Sequence, residues 1–276
     1  MVLIAEVNGL KIESFNDYFI SFLNSPFQAH RELKAVDIFP ESRKTEDVRS
    51  PISGKIIDHK IHVMRKNGKK EHVLIIESGN YYIKILHVEP YISVGEEIKF
   101  GQIFGKLYIS PYFRPWTDPH IHLEVRNKND FLRARGGLKL KIPDCNPMGK
   151  TILTNDFEIK ESYALRRIIP VKCGNFYGAG DLGIIDGGYP HYKYGLLIGS
   201  NDPIIFNKSI GEIISKEDRI IKFNNDKIVM NEIEFLGLGF NIYLNDKAHI
   251  KYIFKNNIER EKFIKIFKDV NFNLSK

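Results

Sequence analysis

The spacing of histidine and aspartate residues is the most specific chemical signal in this sequence. In His120-Ile121-His122, one residue separates two histidines. Side chains on a β-strand alternate between its faces, so on a strand both imidazoles point to one side while Ile121 enters the core. One histidine could then bind a metal ion while the other faces a substrate. In a chain with nine histidines such a pair can also arise by chance, so it predicts a site only together with other residues.

Two further segments supply the other residues of a possible metal site. Asp37 lies in an apolar, strand-like run, residues 35–39, and His30 precedes it by one short segment. A carboxylate in such a run needs a partner, because an unpaired buried charge is costly. A zinc ion would satisfy it, and so would an arginine or a backbone donor. His87 follows another strand-like run, where a histidine alone has no special role.

Together these residues match the ligand chemistry of catalytic zinc, which uses three nitrogen or oxygen ligands and an open water position. Two histidines and one aspartate meet that requirement. The two remaining histidines could act as general base and as transition-state stabiliser.

The order of these residues resembles that of the lysostaphin-type zinc endopeptidases, the LytM-like peptidases that cleave peptide cross-links of bacterial cell walls. The resemblance covers about residues 25–127 and consists of five motifs in the family's order. These are His30 with Ala35-Val36-Asp37-Ile38, Ser50-Pro51-Ile52-Ser53-Gly54, Leu86-His87-Val88, the hairpin Val94-Gly95 to Gly101-Gln102 and Gly105, and Pro119-His120-Ile121-His122-Leu123-Glu124.

This resemblance implies a zinc-dependent metallohydrolase, an endopeptidase that acts on a peptide or a peptide-containing polymer. It implies that His30, Asp37 and His122 bind the zinc. It makes His120 the general base and His87 the second catalytic histidine. The implied fold is a duplicated hybrid motif of β-hairpins, related to the barrel-sandwich hybrid of biotinyl and lipoyl domains.

The segment before the His-x-His pair departs from the family, which has a glycine- and threonine-rich turn there. This chain has instead an aromatic and basic segment, with Tyr112, Phe113, Arg114 and Trp116. We expect these four residues to form a wall of the substrate groove, so the family's preference for glycine-rich bridges is not carried over. The segment could pack on the second domain, or it could stay open and hold substrate.

Two other classes of function stay open. A non-catalytic binding or scaffold module on the same fold would need no turnover, although this chain keeps every ligand-type residue. The net charge of +7 could attract nucleic acid or another polyanion. The lysines are scattered, however, with no block of five like charges, which favours a solvated surface over a nucleic-acid site.

The chain is predicted to be mainly β and to form two domains. Strand-like segments bounded by turn residues dominate residues 1–142, and a cluster of turn formers follows them at residues 142–147. Residues 143–276 are predicted to be a second β-rich domain of unknown role. Phe263, Phe267 and Val270 fall at i, i+4 and i+7, which predicts a closing helix over residues 257–270.

The composition also indicates what to expect of membrane spans, location and cysteine chemistry. No apolar run approaches the roughly 20 residues of a membrane-spanning helix. The first residues do not resemble a secretory signal, which predicts a cytoplasmic protein, with export by another route left open. Two cysteines, Cys145 and Cys173, argue against a disulfide scaffold, and the lack of a CxxC pair argues against thiolate metal ligands. The sequence does not indicate an oligomeric state.

Overall fold

Alternating apolar and polar residues form strands along most of this chain. The computed structural model describes residues 1–65, 68–133 and 136–273, and in the last helix it describes side chains up to Phe267. Its contacts divide the chain into two units: Met1–Asp144 with Tyr243–Asn245, and Cys145–Ile242 with Asp246–Lys276. The predicted class, mainly β with a closing helix, is confirmed.

The first unit contains twelve strands and one short helix among its described residues. They are β1 (Val2–Val7), β2 (Leu10–Ser14), β3 (Tyr18–Ser21), α1 (Gln28–Arg31), β4 (Ala35–Pro40), β5 (Asp47–Arg49), β6 (Gly54–Val63), β7 (Lys70–Ser78), β8 (Tyr81–Leu86), β9 (Val88–Pro90), β10 (Glu97–Ile98), β11 (Ile103–Leu107) and β12 (Ile121–Arg126).

Seven of these strands lie side by side in the order β10-β6-β7-β8-β12-β4-β3, with antiparallel neighbours throughout. A smaller antiparallel sheet has the order β5-β11-β9, and β1 pairs with β2. Every residue of β4 and of β12 is buried. These two adjacent strands carry Asp37 and His122, so the first unit places polar side chains inside its most buried region.

The second unit is also built from strands. They are β13 (Pro147–Met148), β14 (Ile152–Ile159), β15 (Tyr163–Ile169), β16 (Val171–Cys173), β17 (Phe176–Gly178), β18 (Ile184–Tyr189), β19 (Tyr194–Ile198), β20 (Ile204–Ile205), β21 (Lys208–Ser209), β22 (Gly211–Ser215), β23 (Ile220–Phe223), β24 (Ile228–Met230), β25 (Ile233–Phe240) and β27 (His249–Phe254); β26 (Ile242–Tyr243) leads back to the first unit. Nine of them form one sheet: eight lie in the order β14-β15-β27-β25-β18-β19-β23-β22, and β24 pairs with β25.

The closing helix, α2, spans Asn257–Asn273 and extends beyond the predicted end at residue 270. Phe263 is fully buried, and its ring contacts those of Phe157, Phe235 and Phe254. Val270 lies outside the described side chains. The apolar stripe therefore anchors the helix to its own unit, as its spacing predicts.

The two cysteines form a single disulfide, a pairing that the sequence analysis did not predict. Cys145 and Cys173 are joined with a Cα–Cα distance of 5.3 Å across 28 residues of sequence. Neither thiol is then available as a metal ligand. In the described part of the chain, no helix is long and apolar enough to cross a membrane.

Candidate metal centre

The register of three adjacent strands brings the predicted ligands together. In the β4–β12 pair, Asp37 lies directly opposite His122. In the β12–β8 pair, His122 lies opposite Leu86, the residue before His87. His30 lies on α1, shortly before β4, and is almost completely buried. Strand pairing thus assembles residues that are far apart in sequence.

Three ligand-type atoms converge at one point. His122 Nδ1 lies 2.8 Å from Asp37 Oδ1 and 3.2 Å from His30 Nε2. His30 Nε2 lies 3.3 Å from the same Asp37 oxygen. Among the described residues, these three form the group of buried histidine and carboxylate side chains that could hold a metal ion.

The spacing of these atoms fits a tetrahedral ion. Zinc binds histidine nitrogen and carboxylate oxygen at about 2.0–2.2 Å, so two ligand atoms on one tetrahedral ion are separated by roughly 3.3 Å. Two of the three separations have that length, and the third is somewhat shorter.

Hydrogen bonds on the far side of each ring leave lone pairs aimed at the centre. The Nδ1–H of His30 donates to the backbone oxygen of Phe22 at 2.8 Å, which leaves Nε2 as an acceptor. His122 Nε2 lies 3.2 Å from Glu124 Oε1, so its neutral form donates there and leaves Nδ1 as an acceptor. With the Asp37 carboxylate, three electron-rich atoms meet. They need a cation or a proton between them, because buried acceptors without a donor are costly.

The pKa values of His122 and Asp37 also indicate that the centre favours a cation. Burial alone would lower the pKa of His122, but its bonds to Asp37 and Glu124 prevail and raise it to about 9. Burial would raise the pKa of Asp37, yet the neighbouring imidazoles of His120, His30 and His122 hold it well below its ordinary value. The centre therefore attracts positive charge, and a metal ion would take the place of the His122 proton.

His120 borders the centre, with one ring nitrogen held by the backbone and the other near Asp37. Its Nδ1–H donates to the backbone oxygen of Asp118 at 2.8 Å, and its Nε2 lies 3.5 Å from Asp37 Oδ1. Burial lowers the pKa of His120 to about 4. The ring is therefore neutral near pH 7, and Nε2 can accept a proton.

His87 also borders the centre: its ring centroid lies 5.0 Å from that of His120 and 5.9 Å from that of His122. Its Nδ1 is 2.9 Å from Glu71 Oε1. Burial lowers the pKa of His87, while the Glu71 carboxylate acts in the opposite direction. His87 thus differs from His120 in the partner of its Nδ1, which is a carboxylate rather than a backbone oxygen.

The four predicted groove residues occupy different environments. The Phe113 ring stacks on His120 at 4.6 Å and meets His87 edge-on at 4.8 Å, so it covers both histidines. Tyr112 is exposed and contacts Phe27. Arg114 is exposed and Trp116 is half-buried. The structure places Phe113 against the site, and a substrate-binding role for the segment stays a prediction.

Three residues that the sequence analysis did not assign to the site support its histidines. Glu71 and Glu124 hold His87 and His122. Tyr243 accepts a 2.7 Å hydrogen bond from Arg43, which also binds the Asp118 side chain. Glu124 belongs to the His-x-His-x-Glu motif and could have been inferred from its position two residues after His122. Glu71 and Tyr243 depend on pairing between distant segments.

Comparisons with known proteins find a family model and a solved structure to which this chain is similar. A family model described as the N-terminal domain of a domain of unknown function, DUF8155, matches residues 9–142, which include all five predicted metal and catalytic residues. The chain is similar to the NMR solution structure of lysostaphin at 15% sequence identity and a TM-score of 0.31, covering 81% of this chain and 94% of that chain. A search of the curated proteins finds no match.

Proposed function

We propose that this protein is a zinc-dependent metallohydrolase, an endopeptidase that hydrolyses bonds in a peptide or a peptide-containing polymer. The observation that carries the proposal is the convergence of His30, Asp37 and His122 beside two further buried histidines. We also propose that the first unit is a lysostaphin-type, LytM-like domain with a duplicated hybrid motif, on the strength of its five ordered motifs.

The roles of the residues follow from their hydrogen bonds. His30 Nε2, His122 Nδ1 and Asp37 Oδ1 would hold the ion. Bound zinc supplies a Lewis acid that polarises a carbonyl group and acidifies a water molecule. The fixed orientation of both imidazoles is typical of metal-binding histidines, whose second nitrogen donates to a carboxylate or a backbone oxygen.

His120 has the properties of a general base. It is neutral near pH 7, its ring is fixed by a backbone oxygen, and its Nε2 is near Asp37. It can take a proton from an attacking water molecule and later return it to the leaving amine. We propose that His87 stabilises the oxyanion. Because its Nδ1–H donates to Glu71, its Nε2 can donate to the oxyanion only after the ring takes up a second proton, and the Glu71 carboxylate would stabilise that charge.

The disulfide is relevant to the compartment in which the protein would meet its substrate. Disulfides persist in oxidising compartments and are rare in the cytosol. We therefore propose an oxidising location for this chain, in place of the cytoplasmic one expected from the sequence. That location is compatible with a peptide-containing polymer of a cell wall.

The experiment is hydrolysis by purified, zinc-supplemented protein. Purified peptidoglycan and a panel of short peptides are incubated with the protein, and new amino groups are counted and the products are identified by mass spectrometry. We expect cleavage by the wild type and a fall of about 10²- to 10⁴-fold in the His120→Ala variant, the usual effect of losing a general base. His62→Ala, at an exposed histidine on β6, is the matched control.

The same experiments also distinguish hydrolysis from the alternative functions. Equal background rates in the wild type and the His120→Ala variant would contradict turnover and favour a non-catalytic zinc-binding module. Loss of zinc from the His120→Ala variant would show that His120, rather than His122, is the ligand. A binding affinity for nucleic acid that falls steeply with salt would favour the polyanion binder.

A further inference from the structure

Glu71 is a buried carboxylate to which the sequence motifs assign no role. It lies near the start of β7 and its side chain is almost completely inaccessible to solvent. A buried carboxylate must be compensated by donors, because the charge is otherwise very costly to bury. The identity of those donors therefore shows what the residue does.

Four donors surround the Glu71 carboxylate, and two of them belong to His87. Oε1 accepts from His87 Nδ1 at 2.9 Å and from the His87 backbone N–H at 3.0 Å. The same oxygen accepts from the Tyr108 hydroxyl at 2.7 Å, and Oε2 accepts from the Ser110 hydroxyl. These bonds lower the pKa of Glu71 to about 2, against the effect of burial, so the carboxylate is charged.

The backbone of His87 explains why two bonds are needed. His87 has a φ of +70°, in the left-handed region that residues with a side chain rarely adopt. Such a conformation is strained and persists where surrounding contacts over-determine it. Glu71 binds the backbone N–H and the ring of this one residue, and so fixes both its backbone and its side chain.

The other two donors extend the same contact to the aromatic segment. The Ser110 hydroxyl oxygen also accepts from the backbone N–H of Tyr112 at 3.2 Å. The next residue, Phe113, packs its ring on His87. One carboxylate therefore joins the histidine to the start of the segment that covers it.

We infer that Glu71 is the positioning residue for His87: it holds the Nδ1–H tautomer and so presents Nε2 as the ring nitrogen available to a substrate. A carboxylate can only accept, so the nitrogen facing it carries the proton. The catalytic meaning of this arrangement rests on the proposed function. The tautomer itself is a property of the site and does not depend on hydrolysis.

The test is the protonation pattern of His87 in full-length, zinc-loaded protein labelled with ¹⁵N-histidine. Long-range ¹H–¹⁵N spectra distinguish the Nδ1–H from the Nε2–H tautomer, and the His87→Gln variant assigns the signal. We expect the Nδ1–H form in the wild type. An Nε2–H form in the wild-type spectrum would overturn the inference without any further variant.

Substitutions at Glu71 then separate positioning from a merely structural role. In the Glu71→Gln variant the amide oxygen still accepts, so the Nδ1–H form should be retained. In the Glu71→Met variant the acceptor is lost, and His87 should shift toward the Nε2–H form while zinc content is unchanged. The Glu77→Met variant, at a partly exposed position on the same strand, is the control.

An unchanged tautomer in a folded Glu71→Met variant would also overturn the inference. Absence of hydrolysis with the expected tautomers would count against the proposed function and leave the role of Glu71 intact. The two claims can thus fail separately.

Discussion

Four histidines surround the candidate centre, and two different regions of the first unit hold them. In the sheet, strands β7 and β12 supply carboxylates: Glu71 holds His87 and Glu124 holds His122. In the loops, backbone oxygens accept the hydrogen bond instead: that of Phe22 accepts from His30, and that of Asp118 accepts from His120. Each pair contains one predicted ligand and one predicted catalytic residue.

The difference between the two regions is one of charge. A carboxylate partner favours a proton or a positive ion on the ring, whereas a backbone oxygen fixes the ring without adding charge. Burial acts to lower the pKa of His122, His87 and His120, and the balance differs between them. At His122 the bonds to Asp37 and Glu124 prevail and raise the pKa to about 9. At His87 burial prevails over the Glu71 carboxylate, and at His120 burial lowers the pKa to about 4. His122 therefore favours a cation at its ring, whereas His120 stays neutral and can accept a proton.

Removing the charge of Glu71 should have the largest effect on stability. The pKa of Glu71 is about 2 in the folded protein and about 4.5 when exposed, a difference of about 3 kcal/mol at neutral pH. A lowered pKa stabilises the fold above pH 4.5, and the contribution is lost as pH falls toward 2. The free energy of unfolding of zinc-free wild type should therefore exceed that of the Glu71→Gln variant at pH 7.

The same two proteins, compared at low pH, show whether the stabilisation by Glu71 decreases as pH falls. Between pH 7 and pH 3, about 2 kcal/mol of the difference between wild type and Glu71→Gln should disappear in urea unfolding. Glu77→Gln should follow the wild type closely. A difference that stays constant with pH would mean that the charge of Glu71 contributes nothing to the fold.

The next prediction concerns Glu124, the carboxylate that accepts a hydrogen bond from the predicted ligand His122. Its pKa is lowered to about 2: burial opposes this, and the bond from His122 and the charges of Lys84 and Arg126 cause it. Replacing an outer partner of a metal-binding histidine typically weakens binding about 10- to 100-fold. We expect that loss in the zinc affinity of Glu124→Gln, measured by competition with a chelating dye.

Glu97→Gln, at an exposed position on β10, provides the baseline for that titration. Zinc affinity equal to the wild type in the Glu124→Gln variant would argue that His122 does not use Glu124 to orient its ring.

The smallest effect is expected on the loop side, at Tyr243. The Tyr243 hydroxyl receives a bond from Arg43, and Arg43 binds the Asp118 side chain. Asp118 in turn supplies the backbone oxygen that holds His120. Tyr243→Phe removes one bond at this end of the network, so we expect a loss of about 1 kcal/mol in unfolding free energy.

The control for Tyr243 is Tyr81→Phe, at a half-exposed position on β8, which should be neutral. Zinc content should be unchanged in both variants. Loss of zinc in Tyr243→Phe would mean that the loop network supports the ligands as well as His120.

Sequence reasoning identified the parts of this molecule that depend on local pattern. Alternating residues predicted the strands, and the i, i+4 spacing of Phe263 and Phe267 predicted the closing helix. Motif order singled out His30, Asp37 and His122, which the structure brings together; their role as zinc ligands stays a prediction.

What the sequence did not show depends on pairing between distant segments. Glu71 meets His87 only because β7 and β8 form a hairpin in one particular register. Tyr243 meets Arg43 across 200 residues of sequence. The disulfide closes a loop of 28 residues, and two isolated cysteines gave no sign that their positions would coincide. A spacing rule cannot reveal contacts of this kind.

Metal content tests the central claim most directly. Purified wild-type protein and a His30→Ala, Asp37→Ala, His122→Ala triple variant are dialysed against zinc and measured by elemental mass spectrometry, with circular dichroism to confirm that both are folded. The account predicts close to one zinc per wild-type chain and none retained by the triple variant. Full zinc retention in the folded triple variant would contradict it. So would a wild-type chain that selects iron, which the same set of two histidines and one carboxylate also serves.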